Sequence, residues 1–248
     1  MILETPEETA EDTGRRALVV GSGYLGTRVA KLLAGEGYTV LATCRSERRL
    51  SELSELEDRR IDARRLDLED CESNNIWKER YQVVVYCVAA GRRGDPRLAY
   101  VDGPRKVLDC LRERPPDRFI FTSSTGVHTQ SDGSDVDEES PALAKEGSPR
   151  WILEGEELVR RRGGTVLRLG GLYGPGRSPL DWLRREDFRG RLDGSSAAFL
   201  NWIHVDDAAS AVTRAVESGR PGETYLVVDG NPVRRGDFYS LAARLTGV

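Results

Sequence analysis

Residues 17–26 are Ala17-Leu-Val-Val-Gly21-Ser-Gly23-Tyr-Leu-Gly26, an apolar run followed by three glycines in the pattern G-x-G-x-x-G. The apolar run predicts a buried parallel strand, and Gly21 predicts a tight turn at its end. Gly23 lets the backbone approach a ligand, and Gly26 lets the next helix, predicted over residues 24–34, pack closely. The free N–H groups at the start of that helix favour an anionic diphosphate.

Strand and helix patterns alternate along the rest of the chain. Runs of apolar and β-branched residues predict strands at residues 38–43, 61–66, 81–88, 118–122, 165–169 and 225–228. Helical periodicity predicts helices at residues 46–58, 96–114, 150–162 and 234–245, and a short one at 181–188. This order predicts an α/β fold with a doubly wound parallel sheet of the Rossmann type, whose ligands lie at the carboxyl ends of the strands. In that context the glycine pattern favours nucleotide binding over an ordinary turn, and we assign the binding to Gly21, Gly23, Tyr24, Leu25 and Gly26.

The chain divides into three predicted segments. Residues 1–16 are acidic and polar and include a proline, which predicts a disordered tail and neither a signal peptide nor a membrane anchor. Residues 17–170 are predicted to form a Rossmann domain that binds NAD(P). Residues 171–248 are predicted to form a small C-terminal substrate lobe, interleaved with late elements of the Rossmann domain.

The composition excludes several classes of protein. A net charge of −4 over 248 residues gives no electrostatic reason to expect a nucleic-acid partner. The longest apolar run, residues 83–90, is too short to span a bilayer. The four cysteines form no C-x-x-C pair, which indicates free thiols in a reducing cytoplasm, and no His/Cys cluster suggests a metal site. We therefore expect a cytoplasmic protein that binds small molecules.

The residues after the second predicted strand bear on which cofactor is bound. A carboxylate there would hold both ribose hydroxyls, but the sequence has Thr43-Cys44-Arg45-Ser46, with no acid before Glu47. Because an arginine pairs well with a phosphate, Arg45 favours NADP, while NAD stays possible if the arginine only lies at a helix start. Asp67 either hydrogen-bonds the adenine or caps the next helix. The small residues that end the fourth strand would let the cofactor lie flat against it: Val88, Ala89 and Ala90.

The chain resembles the extended short-chain dehydrogenase/reductases, specifically the NAD-dependent epimerase/dehydratase superfamily. The resemblance rests on six motifs in family order: Gly21-x-Gly23-x-x-Gly26, Val88-Ala89-Ala90, Val101-Asp-Gly103, Phe121-Thr-Ser-Ser124-Thr-Gly-Val-His128, Arg168 with Tyr173-Gly-Pro-Gly176, and Ile203-His-Val-Asp-Asp207. It implies hydride transfer at a nicotinamide, with a sugar nucleotide or another small molecule bearing a hydroxyl or carbonyl group as substrate. In the family a serine, here Ser124, hydrogen-bonds the reacting oxygen.

The family's acid/base pair is missing from this sequence. The family uses a tyrosine four residues before a lysine, and matching the helix at 150–162 places Ser148 and Ile152 at these two positions. None of the eight tyrosines is followed four residues later by a lysine. Lys145, the only lysine nearby, has no tyrosine partner. Acid/base chemistry through the usual tyrosine is therefore not expected.

Two hypotheses follow from this departure. The first is an atypical oxidoreductase in which His128 donates the proton, since it lies four residues after Ser124 and a histidine titrates near neutral pH. The second is a non-catalytic NADP(H)-binding module or redox sensor that has kept the cleft and lost the chemistry. We favour the enzyme slightly, because Ser124 and the turn containing Tyr173 are both present.

The remaining expectations concern the substrate and the oligomeric state. Tyr173 is expected to shape the wall near the nicotinamide, and Arg177 either meets an anionic group of the substrate or is a surface charge. The helices at 96–114 and 150–162 correspond to the pair through which the family often dimerises. A homodimer is therefore possible.

Overall fold

The computed structural model describes residues 14–56, 58–91, 94–130, 132–144, 146–178, 180–181, 183 and 194–247. Most of the predicted tail at 1–16, most of the predicted helix at 181–188, and Lys145 lie outside these residues.

The secondary structure alternates between strands and helices as predicted. The elements are β1 (Arg16–Val20), α1 (Gly26–Gly35), β2 (Thr39–Cys44), α2 (Glu47–Ser54), β3 (Ile61–Arg65), β4 (Val83–Tyr86), α3 (Gly103–Cys110), β5 (Arg118–Ser124), α4 (Gly147–Arg161), β6 (Thr165–Leu169), β7 (Gly171–Tyr173), β8 (Phe199–Leu200), β9 (Trp202–His204), α5 (Val205–Ser218), β10 (Thr224–Val227), β11 (Val233–Arg234) and α6 (Arg235–Thr246). Short 3₁₀ turns lie at Asn75–Lys78 and Thr125–Val127, and a π-helical turn lies at Leu98–Asp102.

Seven parallel strands form the main sheet, in the order β10-β6-β5-β4-β1-β2-β3. The chain winds outward from β1 to β3, then returns to β4 on the other side of β1. This reversal creates a crevice beyond the carboxyl ends of β1 and β4, where doubly wound sheets bind their ligands. The predicted α/β fold with a doubly wound parallel sheet is confirmed, and β10, from the predicted C-terminal lobe, pairs with β6 in this sheet.

Alternate residues of the central strands point into two separate hydrophobic cores. In β1, Ala17 and Val19 pack on one side with residues of α1 and α5, while Leu18 and Val20 pack on the other side with residues of α3 and α4. This alternation is the period-two geometry of a strand, and it explains why β1 has no polar face. The two layers of helices hold the strand ends, and therefore the crevice, in a fixed position.

The predicted helix at 96–114 is helical from residue 96 to residue 110 and ends four residues early. It is not regular in its first part, which forms the π-helical turn Leu98–Asp102, where the Gly103 N–H donates to the Leu98 carbonyl, before α3. Pro104 supplies the physical reason, because it has no N–H to donate to the Tyr100 carbonyl four residues earlier. The wider turn also brings that carbonyl against α4, where a Cβ on Gly155 would lie only 1.9 Å from the Tyr100 oxygen.

Four short strands were not predicted. Strands β7 and β9 pair in parallel, and β8 and β11 pair antiparallel, each as a two-stranded sheet beside the main one. Across the described ranges, no helix combines the length and apolar character needed to cross a bilayer.

Candidate cofactor cleft and active site

A cleft of about 640 Å³ opens at the carboxyl ends of the parallel strands. Its volume lies within the range of small-molecule and cofactor sites. Most of the residues that the sequence assigned to a site line this cleft: Gly21, Gly23, Tyr24, Leu25, Arg45, Asp67, Val88, Ala89, Ala90, Ser124 and Arg177. Gly26, His128 and Tyr173 do not line it.

The three glycines of the β1–α1 turn meet different surroundings. Gly21 has a φ of +91°, and a Cβ there would lie 2.8 Å from a methyl group of Val88. A Cβ on Gly26 would lie 2.4 Å from the Gly21 carbonyl oxygen, so this glycine permits α1 to start directly beneath the turn. A Cβ on Gly23 would meet nothing within 4 Å, and Gly23 lines the cleft. Gly23 is therefore free of internal packing demands, as expected of a residue that a ligand must approach.

The start of α1 is suited to an anion. It has no side-chain cap and no acidic residue in its first turn, so its N–H groups and its positive dipole end carry no internal counter-charge. The empty space above Gly23 and the small side chains of Ala89 and Ala90 leave room for an extended dinucleotide along the strand ends. The residues present therefore fit the diphosphate of an NAD(P) cofactor.

Arginines surround the end of the cleft at β2. Arg49 donates from Nε to the Ser22 carbonyl at 2.9 Å and from Nη2 to the Gly23 carbonyl at 3.2 Å, which ties α2 to the glycine turn. Arg45 lines the cleft directly. Glu47, the first acid after β2, lies 3.5 Å from Arg65 in an ion pair. Arg49 also pairs with Glu52 at 2.5 Å, so Arg45 is the arginine that this end of the cleft offers where the sequence has no ribose-binding carboxylate.

Of the two roles that the sequence left open for Asp67, the structure shows its carboxylate capping a turn and not a helix, and the adenine contact stays a prediction. The Asp67 side chain lines the cleft beyond β3, and its Oδ1 accepts a hydrogen bond from the Glu69 N–H at 3.1 Å. The carboxylate thus fixes the turn that follows the strand, and the same residue faces the space where an adenine is expected.

The opposite end of the cleft contains the end of β5 and the first half of α4. The Ser124 Oγ accepts from the Gly126 N–H at 3.1 Å, which leaves its own hydroxyl proton available to a ligand. Ile152 lies in the cleft wall and is 7% exposed, whereas Ser148 is exposed and lies outside the cleft. An isoleucine therefore lies in the cleft wall at the position that the sequence matched to the family's lysine.

Tyr100 is a cleft residue that the sequence reasoning missed. Its side chain lines the cleft, and its hydroxyl accepts from the Ala90 N–H at 3.4 Å, at the end of the β4 segment. The available signal was Pro104, whose missing N–H leaves the Tyr100 carbonyl without its regular hydrogen bond and so places Tyr100 in a π-helical turn and not on a regular helical face.

A buried polar network lies behind the Ser124 end of the cleft. Glu156 on α4 accepts from the Ser123 hydroxyl and forms an ion pair with Arg168 on β6, with Nη2 to Oε2 at 2.8 Å. The Arg168 Nη1 lies 3.3 Å from the Nε2 of His128. Sequence reasoning used Arg168 only as part of a motif and missed Glu156, because a glutamate in a charged helix gives no sign that it is buried.

His128 is held by this network and does not face the cleft. Its Nε2 lies beside the Arg168 guanidinium, so this nitrogen is the acceptor and the proton lies on Nδ1. Burial, followed by the repulsion of Arg168, lowers the pKa of His128, and the carboxylates of Glu156, Asp137 and Glu138 oppose this shift only partly. The assignment of His128 as proton donor stays a prediction, and this placement does not favour it.

The lowered pKa predicts a pH-dependent stability. Below the ordinary histidine pKa of about 6.5, the unfolded chain takes up a proton on His128 that the folded chain resists. The free energy of unfolding should therefore fall as the pH drops from about 6.5 towards the lower pKa that His128 has in the folded protein. Below that pKa, protonation of His128 should not change the free energy of unfolding further. Urea unfolding measures this effect on the wild type and on His128→Asn between pH 5 and 8. The difference in the free energy of unfolding between the two proteins should become smaller at low pH, and a difference that does not depend on pH would contradict this linkage.

Tyr173 and His204 form a cluster beside the main cleft. Their rings meet edge to face with centroids 5.3 Å apart, and Tyr173 lines a separate cavity of about 220 Å³ with Trp202 and Phe238. His204 also caps α5, because its Nδ1 accepts from the Asp206 N–H at 3.3 Å. The role of Tyr173 at the nicotinamide stays a prediction.

Arg177 reaches the glycine turn from the C-terminal part of the chain. Its guanidinium lies 5.5 Å from the Tyr24 ring centre, and the Arg28 guanidinium lies 4.5 Å from the same ring. Among the ion pairs of the described residues, none involves Arg177. Its charge can therefore meet an anionic group in the cleft.

The cysteines of the cleft are not suited to nucleophilic chemistry. Burial raises the pKa of Cys87 to about 12, and burial also raises the pKa of Cys44. Both side chains are therefore neutral thiols at physiological pH, and a neutral thiol is a weak nucleophile.

Comparisons with known proteins agree with this architecture. A family model described as the NAD dependent epimerase/dehydratase family matches residues 17–227. The chain is 28% identical over 242 residues to Protein YeeZ of Escherichia coli K12, covering 94% of this chain and 85% of that protein. It is 30% identical over 254 residues to a 3-diazoavenalumate denitrifying reductase of a Streptomyces species, covering 94% and 82%.

A solved structure shares the fold. The dTDP-glucose 4,6-dehydratase of Bacillus anthracis, determined in complex with NAD, superimposes with a TM-score of 0.76 at 18% identity, over 94% of this chain and 81% of that one. At this identity the likeness concerns the fold alone. Because the family model extends from β1 to the end of β10 and so covers the whole main sheet, the chain belongs to the NAD-dependent epimerase/dehydratase family.

Proposed function

We propose that this protein is an NADP-dependent reductase that acts on a small carbonyl-bearing molecule. The observation that carries the proposal is that the glycine turn, the arginine-bearing end of β2 and Ser124 on β5 all line one cleft. The first two features suit a phosphorylated dinucleotide, and the third suits a polar oxygen at the far end. The relative from Streptomyces is a reductase, which supports a reduction over an epimerisation.

Each part of the cleft has a proposed role. Gly21, Gly23, Tyr24, Leu25 and Gly26 hold the diphosphate through backbone N–H groups and close approach. Arg45 pairs with a 2′-phosphate, Asp67 hydrogen-bonds the adenine, and Val88, Ala89 and Ala90 form the wall against which the cofactor lies.

At the reacting end, Ser124 donates its hydroxyl proton in a hydrogen bond to the substrate oxygen, and Arg177 meets an anionic group of the substrate. When bound, a reduced nicotinamide supplies the hydride. Homodimerisation and a cytoplasmic location remain predictions from the sequence.

The second candidate is a non-catalytic NADP(H)-binding module or redox sensor. Two observations favour it: Ile152 occupies the cleft wall, and His128 is engaged by Arg168 away from the cleft. Tight NADPH binding without oxidation of NADPH by 2,3-butanedione, benzaldehyde or acetoacetate would favour this candidate over the reductase.

We predict that Arg45→Asp selectively weakens NADPH binding. A charge-assisted hydrogen bond contributes about 1.5–3 kcal/mol, so its loss should raise the Kd for NADPH by about 10- to 100-fold. The Kd for NADH should change by less than about threefold, because NADH has no 2′-phosphate. Calorimetry or the fluorescence of bound cofactor measures both constants on the purified protein.

Arg48→Asp is the matched control for this substitution. Arg48 is three residues away and its side chain is 89% exposed, but it does not line the cleft. Arg48→Asp should leave the ratio of the NADPH Kd to the NADH Kd unchanged, although it changes the net charge by the same amount as Arg45→Asp. Equal affinity of the wild type for NADPH and NADH, unaltered by Arg45→Asp, would refute the preference for NADP.

A further inference from the structure

The reacting end of the cleft needs a proton donor if a carbonyl is reduced there. Among the described residues that line this end, Ile152, Leu169 and Leu172 are apolar, and Cys87 is a thiol whose pKa burial raises to about 12. The Thr122 hydroxyl is used, because it donates to the Tyr86 carbonyl at 3.2 Å. Ser124 can orient an oxygen, but a serine hydroxyl is a weak acid.

Two phenols also line the cleft. The Tyr24 hydroxyl is buried beside Gly174 and is closed to a ligand, whereas the Tyr100 hydroxyl lies at the end of the β4 segment. Among the described residues, Tyr100 is therefore the phenol left for this role.

Packing places Tyr100 next to the reacting end. Its backbone carbonyl abuts Gly155, where a Cβ would lie 1.9 Å away, and Gly155 follows Ile152 by three residues on α4. Glu156, the next residue, bonds the hydroxyl of Ser123, the neighbour of Ser124. Tyr100 therefore lies against the part of α4 that also carries Ile152 and bonds the end of β5, and Tyr100, Ile152 and Ser124 all line the cleft.

The π-helical turn gives Tyr100 its direction. Because Pro104 removes the regular hydrogen bond to the Tyr100 carbonyl, the turn widens and the side chain points into the cleft. Its hydroxyl oxygen accepts only a long hydrogen bond of 3.4 Å, from the Ala90 N–H. The hydroxyl proton is thus free to be donated to a ligand lying between β4 and α4.

We propose that Tyr100 is the acid/base residue of this protein and takes the part that the family gives to a tyrosine on α4. The assignment rests on the proposed reductase function. The carbonyl carbon of the substrate gains a hydride and its electron pair from the reduced dinucleotide, which is oxidised. The former π electrons move to the carbonyl oxygen, which forms a bond to the Tyr100 proton. The phenolate then recovers a proton from water, and the product is an alcohol.

The test compares Tyr100→Phe with the wild type, using NADPH and 2,3-butanedione, benzaldehyde and acetoacetate as probes. Loss of a general acid lowers turnover by about 100-fold or more, whereas the Kd for NADPH should stay within about threefold of the wild type. The KM for each probe should also stay within about threefold of the wild type, whereas a purely structural role would weaken NADPH binding and lower turnover together.

Tyr225→Phe is the matched control, because Tyr225 lies on β10 outside the cleft and its hydroxyl accepts from the Arg220 N–H. Tyr225→Phe should keep the turnover, the KM values and the Kd for NADPH of the wild type. Turnover by Tyr100→Phe at the wild-type rate, or a loss of turnover accompanied by an equal loss of NADPH binding, would overturn the assignment and leave the reductase function standing. No oxidation of NADPH by the wild type with any of the three probes would overturn both.

Discussion

Replacing Glu156 by alanine is expected to lower the free energy of unfolding by about 3–5 kcal/mol, because it leaves the Arg168 guanidinium buried without its carboxylate. The side chains of Arg168 and Glu156 are only 8% and 2% exposed. Ser123 loses its acceptor in the same variant, so a second buried polar group is left unpaired. Urea unfolding followed by circular dichroism measures the change, and Glu156→Gln, which keeps the shape and removes the charge, should show a smaller loss.

Glu157→Ala tests whether the burial of the Glu156–Arg168 ion pair causes the loss of stability expected for Glu156→Ala. Glu157 is adjacent on α4 and pairs with Arg160 and Arg161, but its side chain is 44% exposed. Exposed pairs contribute about 0–1 kcal/mol, so this variant should be almost as stable as the wild type. The double variant Glu156→Leu/Arg168→Met should recover much of the loss, since no uncompensated charge remains. Equal losses in Glu156→Ala and Glu157→Ala would contradict the importance of the buried pair.

The main sheet could be predicted from the sequence because its strands are short apolar runs between turn residues. The strand at 83–86, for example, consists entirely of buried residues, and such a run has few alternatives once helices flank it. The π-helical turn could not be predicted from periodicity, because the residues around Tyr100 follow a helical pattern. The π-helical turn depends on the missing N–H of Pro104 and on the close contact between the Tyr100 carbonyl and Gly155, which is distant in the sequence.

The end of the cleft beside β1 and β2 was more predictable than the end beside β5. Gly23, Arg45 and Ala89 follow strands directly, so the sheet alone brings them to one edge. His128 and Tyr173 also lie at or after strand ends, but neither lines the cleft. His128 contacts Arg168, and Tyr173 packs against His204. Such contacts depend on partners far away in the chain, and the sequence pattern does not contain them.

Substituting Gly23 and Gly26 should separate cofactor binding from folding within one motif. Gly23→Val places a side chain in open space, with nothing within 4 Å of the Cβ and no positive φ to strain. The variant should therefore fold with a Tm within about 2 °C of the wild type, while its Kd for NADPH rises by about tenfold or more, because the side chain occupies the place of the diphosphate.

Gly26→Ala, in contrast to Gly23→Val, should lower the stability of the fold in addition to weakening cofactor binding. Its Cβ would lie 2.4 Å from the Gly21 carbonyl oxygen, a backbone atom that moves only with the whole turn. Overpacking of this kind costs about 1–3 kcal/mol, so the free energy of unfolding should fall measurably, and cofactor binding should weaken because the turn is displaced. Gly35→Ala, at the end of the same helix and with nothing within 4 Å of its Cβ, is the control and should change neither quantity adversely. If Gly23→Val lowered stability as much as Gly26→Ala while binding NADPH normally, Gly23 would be a packing residue, and the case for a cofactor above this turn would fail.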